Sequence, residues 1–198
     1  MMQRSCRIDM GLTEEIPEGV ILRDLKSYRD DRGCLTEVFR SQWANDEAFL
    51  QWNFVESEPN TLRGVHVHPV HADYLVTIQG LLMLGLHDLR NWSPTFGMSC
   101  LIDLSGDRMQ SAFIPPGVAH GFYFPGASCY FYGVTDYWSP ADELGCIWND
   151  PQLGIPWPVT NPVLSQRDRD AGSFRRLMQV LQTEHRKSPM MAGECSRR

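Results

Sequence analysis

Hydrophobic and polar positions alternate along most of this chain in short runs, punctuated by glycine, proline and aspartate. A period of two is the pattern of strands with one buried face. Residues 19–25 form the first such run, Asp30-Asp31-Arg32-Gly33 a turn, and residues 34–40 the returning strand of a hairpin. Residues 41–51 open on polar groups and space Trp43, Phe49 and Leu50 for a short helix, after which residues 52–58 resume extended structure. Further apolar runs at 81–89, 98–104, 110–114, 120–124 and 128–137 are separated by turn signals such as Ser105-Gly106-Asp107, Pro115-Pro116-Gly117 and Pro125-Gly126. Strands at intervals of about ten residues predict an all-β sandwich or barrel, and the lack of interleaved helices argues against a parallel α/β sheet.

Outside the strands the pattern changes. The first fifteen residues lack periodicity and read as a loose arm, or as an edge strand ordered on a partner subunit. Residues 149–162 are rich in proline and tryptophan and predict an ordered loop over the barrel. Residues 173–182 place Phe174, Leu177, Met178 and Leu181 at helical spacing, an amphipathic helix that covers the surface. The tail from 184 is polar and basic. The organisation expected is an arm at 1–16, a barrel domain at 17–172, and a helix with a polar tail at 173–198.

Composition narrows the class. The 198 residues suit one domain, with 42% hydrophobic and 21% charged residues, as in a soluble globular protein. A formal charge of −6 argues against a nucleic-acid surface, although a local basic site for phosphates is compatible with it. No apolar run is long enough to span a membrane, and the amino-terminus lacks the apolar core of a signal peptide, so a cytoplasmic location is expected. Six cysteines without C-x-x-C spacing read as reduced thiols.

The densest chemistry lies between Leu62 and Gly80, where three of the six histidines fall at 66, 68 and 71 with Asp73 behind them. In a strand His66 and His68 point one way and Val65 and Val67 the other. If that face lines the inside of a barrel, the two imidazoles share a cavity. His71 follows Pro69-Val70 in a turn and reads as surface. With Pro115-x-Gly117-x-x-His120 further along, the stretch resembles the two-part motif of the cupin superfamily. That resemblance implies a double-stranded jelly-roll barrel with a few short peripheral helices, and a set of His66, His68, Asp73 and His120 suited to one divalent transition metal.

A second resemblance spans about residues 17–172. Asp31-Arg32-Gly33, Leu62-Arg63-Gly64-Val65-His66, Ser93-Pro94-Thr95-Phe96-Gly97, Ile114-Pro115-Pro116-Gly117-Val118-Ala119-His120-Gly121-Phe122, Thr135-Asp136-Tyr137, Asn149-Asp150-Pro151 and Leu164-Ser165-x-x-Asp168 together resemble the dTDP-4-dehydrorhamnose 3,5-epimerase family. The family is itself cupin-like. The resemblance implies a cytoplasmic homodimeric isomerase of deoxysugar and carbohydrate metabolism, working without cofactor or metal on a dTDP-4-keto-6-deoxyhexose. Its catalytic set would be His66 as base, Asp168 as the carboxylate orienting it, and Tyr132 as the acid on the opposite face. Substrate binding would fall to Arg32, Glu37, Arg63, His120 and Trp138, the guanidinium groups near the diphosphate.

Four departures from the family pattern touch the expected pocket. Asp73 stands where the family commonly has a lysine, His68 where it often has glutamine, Leu84 where it has aspartate, and Glu56-x-Glu58 replaces a Gln-x-Asn pair. Two of these complete the metal motif. Three readings follow: an epimerase of C3, C5 or both, a metal-dependent cupin enzyme acting on a small sugar-like substrate, and a non-catalytic sugar-nucleotide binder.

Overall fold

The computed structural model describes residues 5–8, 15–137, 139 and 144–187. In chain order the first strands are β1 (Ser5–Ile8), β2 (Ile21–Asp24), β3 (Ser27–Asp30), β4 (Gly33–Thr36), β5 (Gln51–Ser57), β6 (Thr61–Val67) and β7 (Asp73–Gln79). There follow β8 (Leu81–Asp88), β9 (Ser99–Ser105), β10 (Gln110–Ile114), β11 (Val118–Phe124), β12 (Ser128–Val134) and β13 (Leu144–Gly145), then helices α1 (Gln166–Arg169) and α2 (Phe174–Lys187). One sheet has the order β1-β9-β8-β11-β6-β13, a second β2-β10-β7-β12-β5, and β3 and β4 form a separate hairpin. From β5 to β8, and again from β9 to β12, each strand lies in the opposite sheet from the one before it. This is the winding of a cupin-like jelly roll.

The alternation in β8 shows why the sheets pack this way. Leu82, Leu84 and Leu86 point inward to meet Leu75, Ile114 and Tyr130 of the other sheet. Each leucine fully removed from water contributes roughly 1.5–3 kcal/mol. Met83, on the other face of β8, packs in a second apolar layer with Leu153, Trp157 and Leu177. The tryptophan-rich loop and α2 therefore cover the outside of the larger sheet, as their pattern predicts. Gly85 leaves room for this cover, because a Cβ at that position would run into the Trp157 ring and Ile155.

Four expectations are corrected. Residues 41–51 form only a 3-10 turn, Ser41–Ala44. Asn45 and Asp46 adopt φ of 54° and 59°, which stops a right-handed helix, and Phe49 instead packs against Phe39 and Tyr74 on the outer face of the smaller sheet. The hairpin's returning strand ends at Thr36. The amino-terminal strand β1 pairs in parallel with β9 of its own chain. Helix α1, unforeseen from its polar sequence, starts at Ser165, whose hydroxyl caps the Asp168 N–H.

His87 ties β8 to the covering loop. Its Nδ1 lies 2.9 Å from the Leu153 carbonyl and 2.7 Å from the Ser99 hydroxyl. Burial lowers its pKa below the ordinary imidazole value, and the opposing pull of the Leu153 carbonyl and Asp88 does not restore it. A folded pKa below the unfolded one means that the unfolded chain takes up the proton first. Stability is therefore lost as pH falls below about 6.5. Urea denaturation of the native chain and of His87→Gln at pH ~7.5 and ~5.5 tests this, with the native chain expected to lose up to about 1.4 kcal/mol more than the variant. Equal losses would remove His87 from the account.

Candidate active site

A cavity of about 470 Å³ opens between the two sheets, lined from one side by Arg63, His66 and His120 and from the other by Asn53, Asp73 and Tyr132. Plain alternation would put Arg63 and His66 on opposite faces of β6. The ladder between β6 and β11 pairs His66 with His120 and Gly64 with Gly121, leaving Val65 as an extra residue. That bulge turns both side chains into the cavity while Val65 and Val67 pack in the outer apolar layer. Gly64 makes it possible: its φ is 102°, and a Cβ there would lie 2.9 Å from the His120 carbonyl.

His66 Nε2 is 2.7 Å from Asp168 Oδ1. Asp168 also accepts from the Ser165 hydroxyl at 2.8 Å, so the Ser165-x-x-Asp168 spacing works as a helix cap that holds a carboxylate in place. Burial alone would raise the Asp168 pKa, but the His66 hydrogen bond and charge, the Ser165 hydroxyl and the Gly64 N–H outweigh it and hold it below the ordinary value. Because a carboxylate only accepts, Nε2 carries the proton and the lone pair sits on Nδ1. Such a pair can serve as a base with an orienting carboxylate, and folding brings it together over a separation of 102 residues.

Tyr132 lies on β12 of the opposite sheet and is partly buried. Burial, and then the charge of Asp73, raise the pKa of its phenol against the opposing pull of Arg63. Such a phenol keeps its proton at neutral pH and can donate it. Arg63 is anchored by hydrogen bonds from Nε to the Ser57 hydroxyl and from a terminal nitrogen to the Glu56 carbonyl. His120 also lines the cavity. Its Nδ1 bonds the Val118 carbonyl at 3.1 Å, and burial pushes its pKa down to about 3.

Two expected site residues lie elsewhere. Arg32, its side chain 90% exposed, pairs with Asp30 in the turn of the β3–β4 hairpin, and Glu37 pairs with Arg40 just beyond it. Neither lines the cavity of its own chain, and the hairpin is a separate two-stranded sheet whose residues are largely exposed. Trp138 lies outside the described residues. Glu56 and Glu58 are exposed and off the cavity wall, so their charge is not directed at a ligand there. Leu84 belongs to the core between the sheets.

The four-residue metal set is also revised. His68, Asp73 and His120 converge, whereas the Nε2 of His66 is engaged by Asp168. His71, expected at the surface, is buried and stacks on His68 with ring centroids 4.0 Å apart. The sequence reading missed Gln51, Asn53, Tyr130 and Arg167, all of which line the cavity. Asn53 carries a buried side-chain N–H without a hydrogen-bond partner among the described residues. The alternation of β5 and the adjacency of Arg167 to Asp168 were available signals. Neither says which face is concave.

Known proteins resemble this chain in both sequence and fold. Residues 14–176 match the family described as dTDP-4-dehydrorhamnose 3,5-epimerase. The chain is 36% identical over 169 residues to dTDP-4-dehydrorhamnose 3,5-epimerase of Pseudomonas aeruginosa, covering 80% of this chain and 92% of that one. Among solved structures, dTDP-6-deoxy-D-glucose-3,5-epimerase of Legionella pneumophila in complex with dTDP-4-keto-L-rhamnose superposes with a TM-score of 0.74 at 31% identity, covering 84% and 92% of the two chains. A 3'-monoepimerase of Streptomyces bikiniensis in complex with dTDP-quinovose gives a TM-score of 0.73 at 25% identity, covering 87% and 98%.

Proposed function

This chain belongs to the dTDP-4-dehydrorhamnose 3,5-epimerase family, and we propose that it inverts C3, C5 or both of a dTDP-4-keto-6-deoxyhexose for deoxysugar biosynthesis. The observation that carries this reading is the His66–Asp168 pair in one wall of a cavity whose opposite wall holds Tyr132. A C–H bond beside a ketone is too weakly acidic to ionise at neutral pH without a positioned base and stabilisation of the resulting enolate. His66 takes that proton on Nδ1, and the Asp168 carboxylate supports the imidazolium that forms. The electron pair of the C–H bond becomes the enolate C=C bond, and Tyr132 then returns a proton to carbon from the other face. Removal on one face and delivery on the other inverts the centre. No electrons are gained or lost, so the chemistry calls for no redox cofactor.

Arg63 and Arg167 supply cationic donors at the cavity for the diphosphate. Arg32 and Glu37, remote from their own cavity, can contribute only to that of a second copy. A homodimer fits the apolar groups left open on this side of the molecule, with Tyr28 51%, Leu35 63% and Phe54 64% exposed on the hairpin and edge strand β5. Among the described residues no helix is long and apolar enough to cross a membrane, consistent with action on a soluble nucleotide sugar in the cytoplasm.

Proton NMR of dTDP-4-keto-6-deoxyglucose incubated with the protein in D2O tests the reading. Deuterium should enter at C3, C5 or both, with formation of the inverted sugar, and no exchange above the uncatalysed rate would refute it. Tyr132→Phe separates the two half-reactions. Exchange on the His66 face should continue, while net inversion falls by about 100-fold, within the range of a lost general acid. Loss of both together would mean that Tyr132 is not the acid alone.

A further inference from the structure

The other histidines of the cavity are arranged around a carboxylate in a way the proton transfers do not use. His68 follows β6, His120 lies on β11 of the same sheet, and Asp73 begins β7 of the opposite sheet. All three are buried, all three line the cavity, and their ligating atoms lie within 4.8 Å of one another. Asp73 Oδ2 is 3.9 Å from His68 Nε2 and 3.8 Å from His120 Nε2. These gaps are too long for direct hydrogen bonds. They are close to the separation of about 3.4 Å between donors that share a tetrahedral ion with bonds near 2.1 Å.

The surroundings aim the donors. His120 Nδ1–H donates to the Val118 carbonyl, which leaves the lone pair on Nε2, the atom nearer Asp73. An outer bond of this kind orients a metal-ligating imidazole. His71 stacks on His68 with planes 22° apart and limits rotation of that ring. Two imidazoles and a carboxylate from three separate segments suit a first-row divalent transition ion, with coordination positions left facing the cavity.

We propose that His68, Asp73 and His120 bind one divalent transition metal ion, and that this ion is the electrophile for the ketone oxygen. The second part rests on the epimerase reading; the binding site does not. When His66 removes the α-proton, the carbonyl π electrons move onto oxygen, and the negative charge of the Asp73 carboxylate nearby would oppose that charge. An ion held by Asp73 reverses the sign of the local field.

Cobalt(II) titration of chelator-stripped protein, followed by visible absorption and by metal analysis after gel filtration, tests the site. One equivalent should bind. Asp73→Asn and His68→Gln should each weaken binding at least about 100-fold with unchanged circular dichroism, and His66→Asn should leave it intact. No stoichiometric uptake by the native chain, or the same uptake in both ligand variants, overturns the site. Deuterium exchange on the keto sugar then tests the role, with an expected rise of at least tenfold on reloading the stripped protein. Equal exchange in stripped and loaded protein overturns the electrophile role. Uptake without exchange in either state refutes the epimerase reading and leaves the metal site standing.

Discussion

His66→Asn is expected to lower deuterium entry at the α-carbons of the keto sugar by about a thousandfold, equivalent to about 4 kcal/mol of barrier. The reason is positional. His66 projects into the cavity from the bulge at Gly64 and Val65, and its Nε2 is committed to Asp168, so Nδ1 is the one ring atom available to take a proton. Asparagine can keep a hydrogen bond toward Asp168 but offers no basic nitrogen. Affinity for dTDP, measured by calorimetry, should change less than threefold, because the nucleotide is bound through other groups. Retention of exchange at C3 or C5 in this variant would show that His66 does not serve that carbon.

Asp168→Asn should be almost as damaging, lowering kcat by roughly 10²–10⁴-fold with little change in KM. The two side chains have the same shape, so the effect isolates charge and proton position. Asp168 accepts from His66 through one oxygen and from Ser165 through the other. An amide nitrogen turned toward His66 would donate to Nε2 and force the ring proton onto Nδ1, which then has no lone pair. An amide oxygen turned that way preserves the tautomer but removes the negative charge that supports the imidazolium. Either arrangement impairs proton abstraction. Steady-state kinetics with the keto sugar separates this from a folding defect, since a structural role would reduce the amount of active protein without a uniform fall in kcat per binding site. A variant with native kcat would end the assignment of Asp168 as the orienting carboxylate.

Local pattern accounted for most of the strands. Period-two alternation survives folding when one face meets a core and the other does not, and runs such as 81–89 and 110–114 lie within a residue of β8 and β10. The carrier motifs were legible for a similar reason. Leu62-Arg63-Gly64-Val65-His66 needs a glycine at positive φ, and Ser165-x-x-Asp168 is a helix cap, so both are contiguous constraints on the backbone. Residues 41–51 misled because the apolar spacing of Trp43 and Phe49 also suits side chains laid over a sheet.

The jelly-roll winding was implied only by the family resemblance, whereas the strand runs, the covering helix and the presence of histidine, carboxylate and phenol groups could be read from residue order alone, since each depends on neighbours a few positions apart. Partnership could not. Whether His66 faces Asp168 or a metal, whether His71 is buried, and whether Arg32 reaches its own cavity depend on a one-residue bulge and on where a hairpin points. A single added residue reverses the face of everything beyond it, and contacts between segments a hundred residues apart are set by how two sheets close on each other.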